Sequence, residues 1–577
     1  MYSVTYLQHI TLQILQNLKS KYLSIHVNTE EERQDKGMWP KLSKVLNEQE
    51  KWEIKSHMKD EKWVKLFCTL FENYEFDQST LVQLWIASGF MWGRYKDYIG
   101  DWCFENLLWR GYIRHCTTCY PNEKKLYKVD VTRLMEGLEG LLESKELHLR
   151  LKDHHFEGSE HVQRLALVGD AIDEDTFNVT KFKELKTLLL LCKDASNINT
   201  VPDDLLALKH LEVLDLSRTQ IKELPDSIEN LVDLRYLDLS FTLIELLPEA
   251  IDCLSKLQTL KLNDCRRLLR LPEGTRKLTS LEHLELDVLN QLPFMPRGIG
   301  SLTQLKSLSA FLIDKDEGRS IAELKNMNHL TGRLCISGLE NVVDGHEARK
   351  ADLWNKDKLT ELEFRWDESK KYSRSKNIDI LEMLRPSFQL EKLQLSYCNA
   401  SGIPSWIDDP SFDKLTSIIL FKCNIAVGID SLQQLPSLKS LSLIDMLYVV
   451  FLTRHPYQHG IIFPKLQRLT IVSIYHLYSW DGIMKEDYLN LSELIIERCW
   501  SLFELPSPIL KRYKLKHLEV INCSNLDSFL DKELSTSLAT LIIEDCPKIN
   551  KWIKENKDDW RKNIKHVENV YIDQDED

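Results

Sequence analysis

Six of the thirteen cysteines sit at one phase of a repeating hydrophobic pattern, eight residues after a leucine. The pairs are Leu257/Cys265, Leu390/Cys398, Leu415/Cys423, Leu491/Cys499, Leu515/Cys523 and Leu538/Cys546. Each frames L-x-x-L-x-L-x-x-C, with Ile or Val sometimes replacing Leu. A thiol locked to a hydrophobic period is part of the repeat, not of a disulfide framework or a metal site. The pattern predicts an α/β fold dominated by a leucine-rich-repeat solenoid.

The clearest run begins with Leu211, Leu214 and Leu216 and recurs at Leu234, Leu257, Leu281 and Leu305, at intervals of 23, 23, 24 and 24 residues. After each strand segment comes a second element ending in proline, as in Ile221-Lys222-Glu223-Leu224-Pro225, which turns the chain onto the convex side. Further strands are read at Leu359, Leu390, Leu415, Leu438, Leu466, Leu491, Leu515 and Leu538. Between Asp314 and Lys358 the phase slips, and Leu324 to Gly332 reads as a helical insertion and a turn.

Thr219 and Thr242 share the slot of Cys265, Cys398, Cys423, Cys499, Cys523 and Cys546, so a hydroxyl and a thiol serve interchangeably in a buried ladder. Cys116-Thr117-Thr118-Cys119 is a lone C-x-x-C, able to hold zinc only with an outside ligand such as His115. Residues between the leucines are expected to point onto the concave face. Asp215, Asp238, Glu285, Asp287, Glu361 and Glu363 fall there early. Ile419, Phe421, Ile444, Val472, Ile495, Ile521 and Ile542 fall there late. An acidic-to-apolar gradient follows, with these positions as candidates for binding a protein.

Formal charge is −13, with 75 Lys+Arg against 88 Asp+Glu, which suits nucleic-acid wrapping poorly. No run of 18 apolar residues exists, so no membrane span is expected. The start has no basic, apolar leader. Free buried cysteines then favour a reducing compartment, the cytoplasm or nucleus.

Residues 36–145 have a different texture. Leu66, Leu70, Leu81, Leu84, Trp85 and Phe90 recur at helical steps, and Trp102 to Tyr112 reads as a further helix. Two strands follow, at Tyr112 to His115 and Lys125 to Val129. Helices followed by a hairpin spell a winged helix, although the helix from Ser79 to Phe90 carries no basic residue for reading DNA. The expected organisation is an uncertain helical segment over 1–35, a winged helix over 36–145, the solenoid over 146–565 and an acidic tail over 566–577.

Cys68-Thr69-Leu70-Phe71-Glu72-Asn73-Tyr74-Glu75-Phe76 and Leu84-Trp85-Ile86-Ala87-Ser88-Gly89-Phe90 resemble the winged-helix subdomain of plant NLR (NB-ARC leucine-rich-repeat) immune receptors. Joined to repeats with an L-x-x-L-P second element, the resemblance runs over roughly residues 36–560. It implies a defence protein that recognises a pathogen effector or a host protein on its concave face, with full-length NLR chains as further partners. Ser88 stands where the family usually has glutamate.

The family binds ADP or ATP through a P-loop, G-x-x-x-x-G-K-[ST]. No such string occurs here. A Met-His-Asp motif is reduced to Lys128-Val129-Asp130, and valine cannot donate to a phosphate. The expectation is a chain that lacks most of the nucleotide-binding domain, binds no cofactor and does not switch on nucleotide by itself. Within residues 1–35, Thr5 to Leu18 reads as an amphipathic helix and resembles a helix of that domain.

No nucleophile elbow, H-E-x-x-H or phosphate loop is present, so no enzyme is expected. His154-His155 beside Asp153 reads as solvated connector. Two alternatives stand beside immune recognition: a substrate adaptor of a ubiquitin ligase, and a decoy or degraded NLR relative.

Overall fold

The structure is a computed structural model. It describes residues 64, 67–71, 74–93, 96–116, 125–136, 148–152, 161–169, 182–192, 197–286, 292, 294–368, 374–425, 429–446, 461–478, 480, 483–527, 529, 534–556 and 559–572. Residues 1–35, Asp287, Cys119 and the Asp153-His154-His155 stretch lie outside the described residues. The chain divides into two compact units, Met1–Asp194 with His210–Leu214, and Ala195–Lys209 with Asp215–Asp577.

In the first unit, helix α1 (Gln78–Ala87) starts where the Asp77 carboxylate accepts the Thr80 N–H at 3.0 Å, satisfying one orphan donor of the first turn. Helix α2 (Lys96–Trp109) packs against it so closely that a Cβ on Gly100 would stand 2.4 Å from Val82 Cγ1. Gly111, at φ 73°, turns α2 into strand β1 (Ile113–His115). That strand pairs antiparallel with β2 (Tyr127–Val129), and Tyr127 meets Phe104 edge-on at 4.9 Å. The aromatic core runs through Phe67, Phe71, Phe76 and Phe90. A short helix α3 (Val131–Glu136) follows, and then three parallel strands, β3 (His148–Lys152), β4 (Arg164–Gly169) and β5 (Thr187–Cys192).

In the second unit, each repeat supplies a strand and a turn on the other side; the early strands β6–β8 are buried throughout, and burial alternates in later ones such as β15 and β16. Asp215 closes β6 (Val213–Asp215). Strands β7 (Tyr236–Asp238), β8 (Thr259–Leu262), β9 (His283–Leu286) and β10 (Ser307–Leu308) then pair in parallel in chain order.

An 11-stranded parallel sheet follows. It comprises β11 (Ala310–Leu312), β12 (Gly332–Ser337), β13 (Leu359–Arg365), β14 (Lys392–Ser396), β15 (Ser417–Phe421), β16 (Ser440–Ile444), β17 (Arg468–Val472), β18 (Glu493–Glu497), β19 (His517–Ile521), β20 (Thr540–Glu544) and β21 (Asn569–Ile572). The leucines between the outward residues, such as Leu441, Leu469 and Leu494, are fully buried. Each contributes roughly 1.5–3 kcal/mol by leaving water.

Two local devices repeat. Just beyond many of the strands a residue adopts a left-handed conformation, for example Phe241 (φ 61°), Lys422 (φ 49°), Arg498 (φ 52°) and Asn522 (φ 51°). Its amide then reaches the next repeat: Lys422 N–H donates to Ile444 O at 2.8 Å and Arg498 N–H to Ile521 O at 2.9 Å. On the convex side Pro225, Pro248 and Pro272 cap the 3-10 turns Asp226–Asn230, Glu249–Cys253 and Glu273–Lys277. Their fixed φ suits that entry position, where no N–H is needed.

Two expectations from the sequence change. Leu324 to Gly332 is no helical insertion. Ile321–Asn326 is a 3-10 turn of the ordinary convex kind, and Gly332 opens β12, which pairs in parallel with strands on both sides. Additional helices stand instead at Gly345–Arg349 and Arg374–Met383. Nor is 566–577 wholly a tail, because Asn569–Ile572 adds a strand to the sheet.

Candidate protein-binding face of the solenoid

The ladder residues work by bonding backwards. Thr219 and Thr242 donate their hydroxyls to Leu216 O at 2.9 Å and Leu239 O at 2.7 Å. Cys265 Sγ reaches the same Leu239 oxygen at 3.0 Å, and Cys423 Sγ reaches Leu395 O at 3.2 Å. Cys398, Cys499, Cys523 and Cys546 are likewise fully buried. Burial pushes the Cys265 and Cys499 thiols up to about 11 and that of Cys423 up to about 12. Thiols so protonated are poor nucleophiles and poor ligands.

The outward side chains stand in rows set by the strand register, but their accessibility differs sharply along the array. Asp215 and Asp238 are buried at 7% and 8% exposure, which corrects the expectation that they present carboxylates to a partner. Tyr236 donates its hydroxyl to Asp238 Oδ2 at 3.1 Å, and Ser217 and Ser240 N–H groups donate to Asp215 and Asp238. Burial, then the Asp238 charge, pushes Asp215 up to about 7. Asp238 is raised by burial too, against the pull of Lys261. Glu285 pairs with the buried Lys261 at 3.4 Å.

Glu363 is buried as well, as the hub of a polar cluster. Arg333 and Arg365 bond it at 3.1 and 2.9 Å, and the Ser396 hydroxyl donates at 2.8 Å. Burial works to raise its carboxyl, but Arg365 and the hydrogen bonds outweigh that and hold it below the usual range. A carboxylate so satisfied orders the sheet and is not free to recognise anything. Glu361, half exposed and 3.6 Å from Lys392, is the most accessible of the early set among the described residues.

From β15 onward the face is partly open. Ile419, Phe421, Ile444, Ile495, Ile521 and Ile542 are intermediate in exposure, whereas Val472 is 8% exposed. Phe421, Ile444 and Val472 are register partners on neighbouring strands. Tyr397 meets Phe421 edge-on at 5.3 Å, and Lys422 Nζ lies 5.6 and 5.9 Å from the two rings.

The gradient from acidic to apolar is also corrected. Val472 pairs in register with Glu497, and Glu493, Glu519 and Glu544 occupy the same face of β18, β19 and β20. The order is buried acids, then apolar residues that continue to Ile542 and are joined by carboxylates from β18 onward. Sequence reasoning also missed an exposed aromatic group just beyond the strand tips: Tyr475, Tyr478, Trp500 and Phe503. Tyr475 and Trp500 meet with their rings tilted by 58° and centroids 5.4 Å apart. The signal was available, since each aromatic falls one or four positions after a ladder slot.

Comparison with known proteins agrees with this architecture. Residues 321–446 match the R13L1/DRL21 LRR family model, and residues 183–244 and 209–266 match the leucine rich repeat model. A putative disease resistance protein of Arabidopsis thaliana is 36% identical over 213 residues, covering 34% of this chain and 15% of that one. Disease resistance protein RGA2 of Solanum bulbocastanum is 33% identical over 267 residues, covering 41% and 27%. A Leptospira interrogans LRR protein of known structure is 22% identical with a TM-score of 0.44, covering 71% of this chain and 90% of that one.

The chain carries leucine-rich repeats similar to those of plant disease resistance proteins. It matches only 15% to 27% of the length of these two relatives.

Within this disease-resistance-like chain, Lys128, Val129 and Asp130 stand at the end of β2. Lys128 pairs with Glu75 at 2.9 Å and Val129 is buried. Asp130 is bonded to Arg114 and accepts the Arg133 N–H at 3.2 Å at the start of α3. All three side chains thus serve local structure. His115 Nδ1 lies 2.9 Å from Cys116 O, and its ring stacks on Tyr127 at 4.9 Å. Among the described residues no helix is long and apolar enough to cross a membrane.

Proposed function

We propose that this chain acts in plant defence by recognising a protein on the outward face of its sheet, without enzymatic activity and without a nucleotide switch of its own. The observation that carries the reading is the row of Phe421 and Ile444. They are register partners on adjacent strands, left partly open to solvent where a monomeric sheet would gain by covering them. Relatives that share these repeats are disease resistance proteins, which supports the biological setting.

The extended face suits recognition because its outward residues vary without touching the leucine core. The absence of a P-loop string and the structural use of Asp130 support a chain that holds no ADP or ATP. The hairpin of β1 and β2 after α1 and α2 supports a winged-helix module. A chain with this chemistry would work in the cytoplasm or nucleus, where its buried thiols stay reduced.

The test expresses the tagged full chain in leaf cells and identifies co-purifying proteins by quantitative mass spectrometry. A Phe421→Asp/Ile444→Asp variant should lose a specific protein by about tenfold or more. A convex-side Asp226→Lys/Glu229→Lys variant should keep it. Identical recoveries from both variants would remove the face from consideration, and stoichiometric ADP in the purified chain would overturn the claim about the switch.

A further inference from the structure

The polarity of the β15–β20 face says what chemistry its partner must carry, given that this face is the recognition surface. At β15 and β16 its outward residues are uncharged, Ile419, Phe421 and Ile444 standing with Ser417, Ser440 and Ser442. Over β17–β20 and the residues just after their tips, carboxylates join the apolar residues Ile495, Ile521 and Ile542, which continue along the face. Glu493, Glu497, Glu519, Glu544 and Asp545 stand there against the cations Arg468 and Arg498 and the imidazole His517. Arg468 is taken by Glu493, Arg498 lies 2.8 Å from Glu497, and His517 lies 3.1 Å from Glu519. Glu544 and Asp545 are exposed, with no basic partner within 4 Å among the described residues.

We propose that the face takes a protein segment carrying an apolar cluster beside a basic one, the apolar part over Phe421 and Ile444 and the basic part over Glu519, Glu544 and Asp545. The surplus of carboxylates selects a cationic partner and disfavours an acidic one, since juxtaposed like charges cost several kcal/mol. The geometry sets the spacing. Adjacent strands stand about 4.8 Å apart, so Ile444 on β16 and Glu519 on β19 are about 14 Å apart, and Phe421 on β15 and Glu544 on β20 about 24 Å. An extended segment advances about 3.3 Å per residue, so its apolar and basic residues should be separated by roughly four to seven positions. No single side chain spans that distance, which makes the ligand a polypeptide rather than an isolated amine.

The test uses synthetic 14-residue peptides with a Leu-Phe pair and a Lys-Arg pair, their separation varied from one to nine residues. Binding to the full chain is read by biolayer interferometry. The expected result is an optimum at four to seven residues, with the glutamate-for-cation twins at least about tenfold weaker. Glu544→Lys/Asp545→Lys, which breaks no ion pair seen here, should erase or reverse that preference, and the convex Asp226→Lys/Glu229→Lys control should not.

Equal binding of cationic and acidic twins, or a preference unmoved by Glu544→Lys/Asp545→Lys, overturns the proposal. If Phe421→Asp/Ile444→Asp still abolishes recovery of a cellular protein, the recognition face survives that failure. If it does not, both readings fall together.

Discussion

At the scale of single residues, the outward face contains two kinds of carboxylate that look alike on paper. Asp215 and Asp238 are almost fully covered, whereas Glu544 and Asp545 are exposed. For Asp215 the consequence is measurable. Its folded-state carboxyl is raised to about 7 from the usual 3.8 by burial and by Asp238, so the native state binds the proton more tightly than the unfolded chain. Between about pH 4 and pH 7 its contribution therefore falls as pH rises. Asp215→Asn keeps an acceptor for the Ser217 N–H, at 2.8 Å in the native protein. The variant should match the native chain near pH 4 and exceed it in urea midpoint at pH 8. A wild-type midpoint that rises steadily over that range, with the variant in parallel, would contradict the assignment. The pleat phase in the sequence told which side of the strand these aspartates take, but not how much area is left to them there.

At the scale of the element, the repeat is governed by its left-handed strand-end residue as much as by its leucines. Asp545 has φ 49°, a region that β-branched residues enter only under strain. Asp545→Gly should leave thermal stability about unchanged, and Asp545→Val should cost about 1–3 kcal/mol. Equal effects of the two would mean that the backbone there is not constrained. The cysteine phase made the strands legible from Leu359 to Leu538, because a thiol and three leucines at fixed offsets leave little freedom. Leu324 to Gly332 was misread because its Leu-x-x-Met-x-x-Leu spacing fits a helix. Parallel pairing of Gly332–Ser337 on both sides, invisible locally, decides otherwise. The strand Asn569–Ile572 was missed for a related reason: it has no leucine frame, and its alternate residues Asn569 and Tyr571 are exposed.

At the scale of the molecule, the strands of β11–β21 pair only with their immediate neighbours in chain order. Damage should therefore stay local. Leu469→Ala on β17 removes a fully buried side chain and should cost about 2–5 kcal/mol. By hydrogen exchange the lost protection should centre on β16–β18 and leave β7–β9 within about twofold of the parent. Uniform loss from β7 to β20 would show a single cooperative block instead.

The left-handed strand-end residues also bear on how such a sequence can change through descent. Pairing restarts at every tip, so the convex segment between tips has no fixed length. From Ser417 to Ser440 the register advances 23 positions, and from Ser440 to Arg468 it advances 28, with both pairs still side by side. Insertions and unequal crossovers on the outer side can therefore accumulate while the recognition rows stay aligned. A lineage can rewrite its ligand preference by point substitution on one surface and its repeat lengths by recombination on the other, each without disturbing the other.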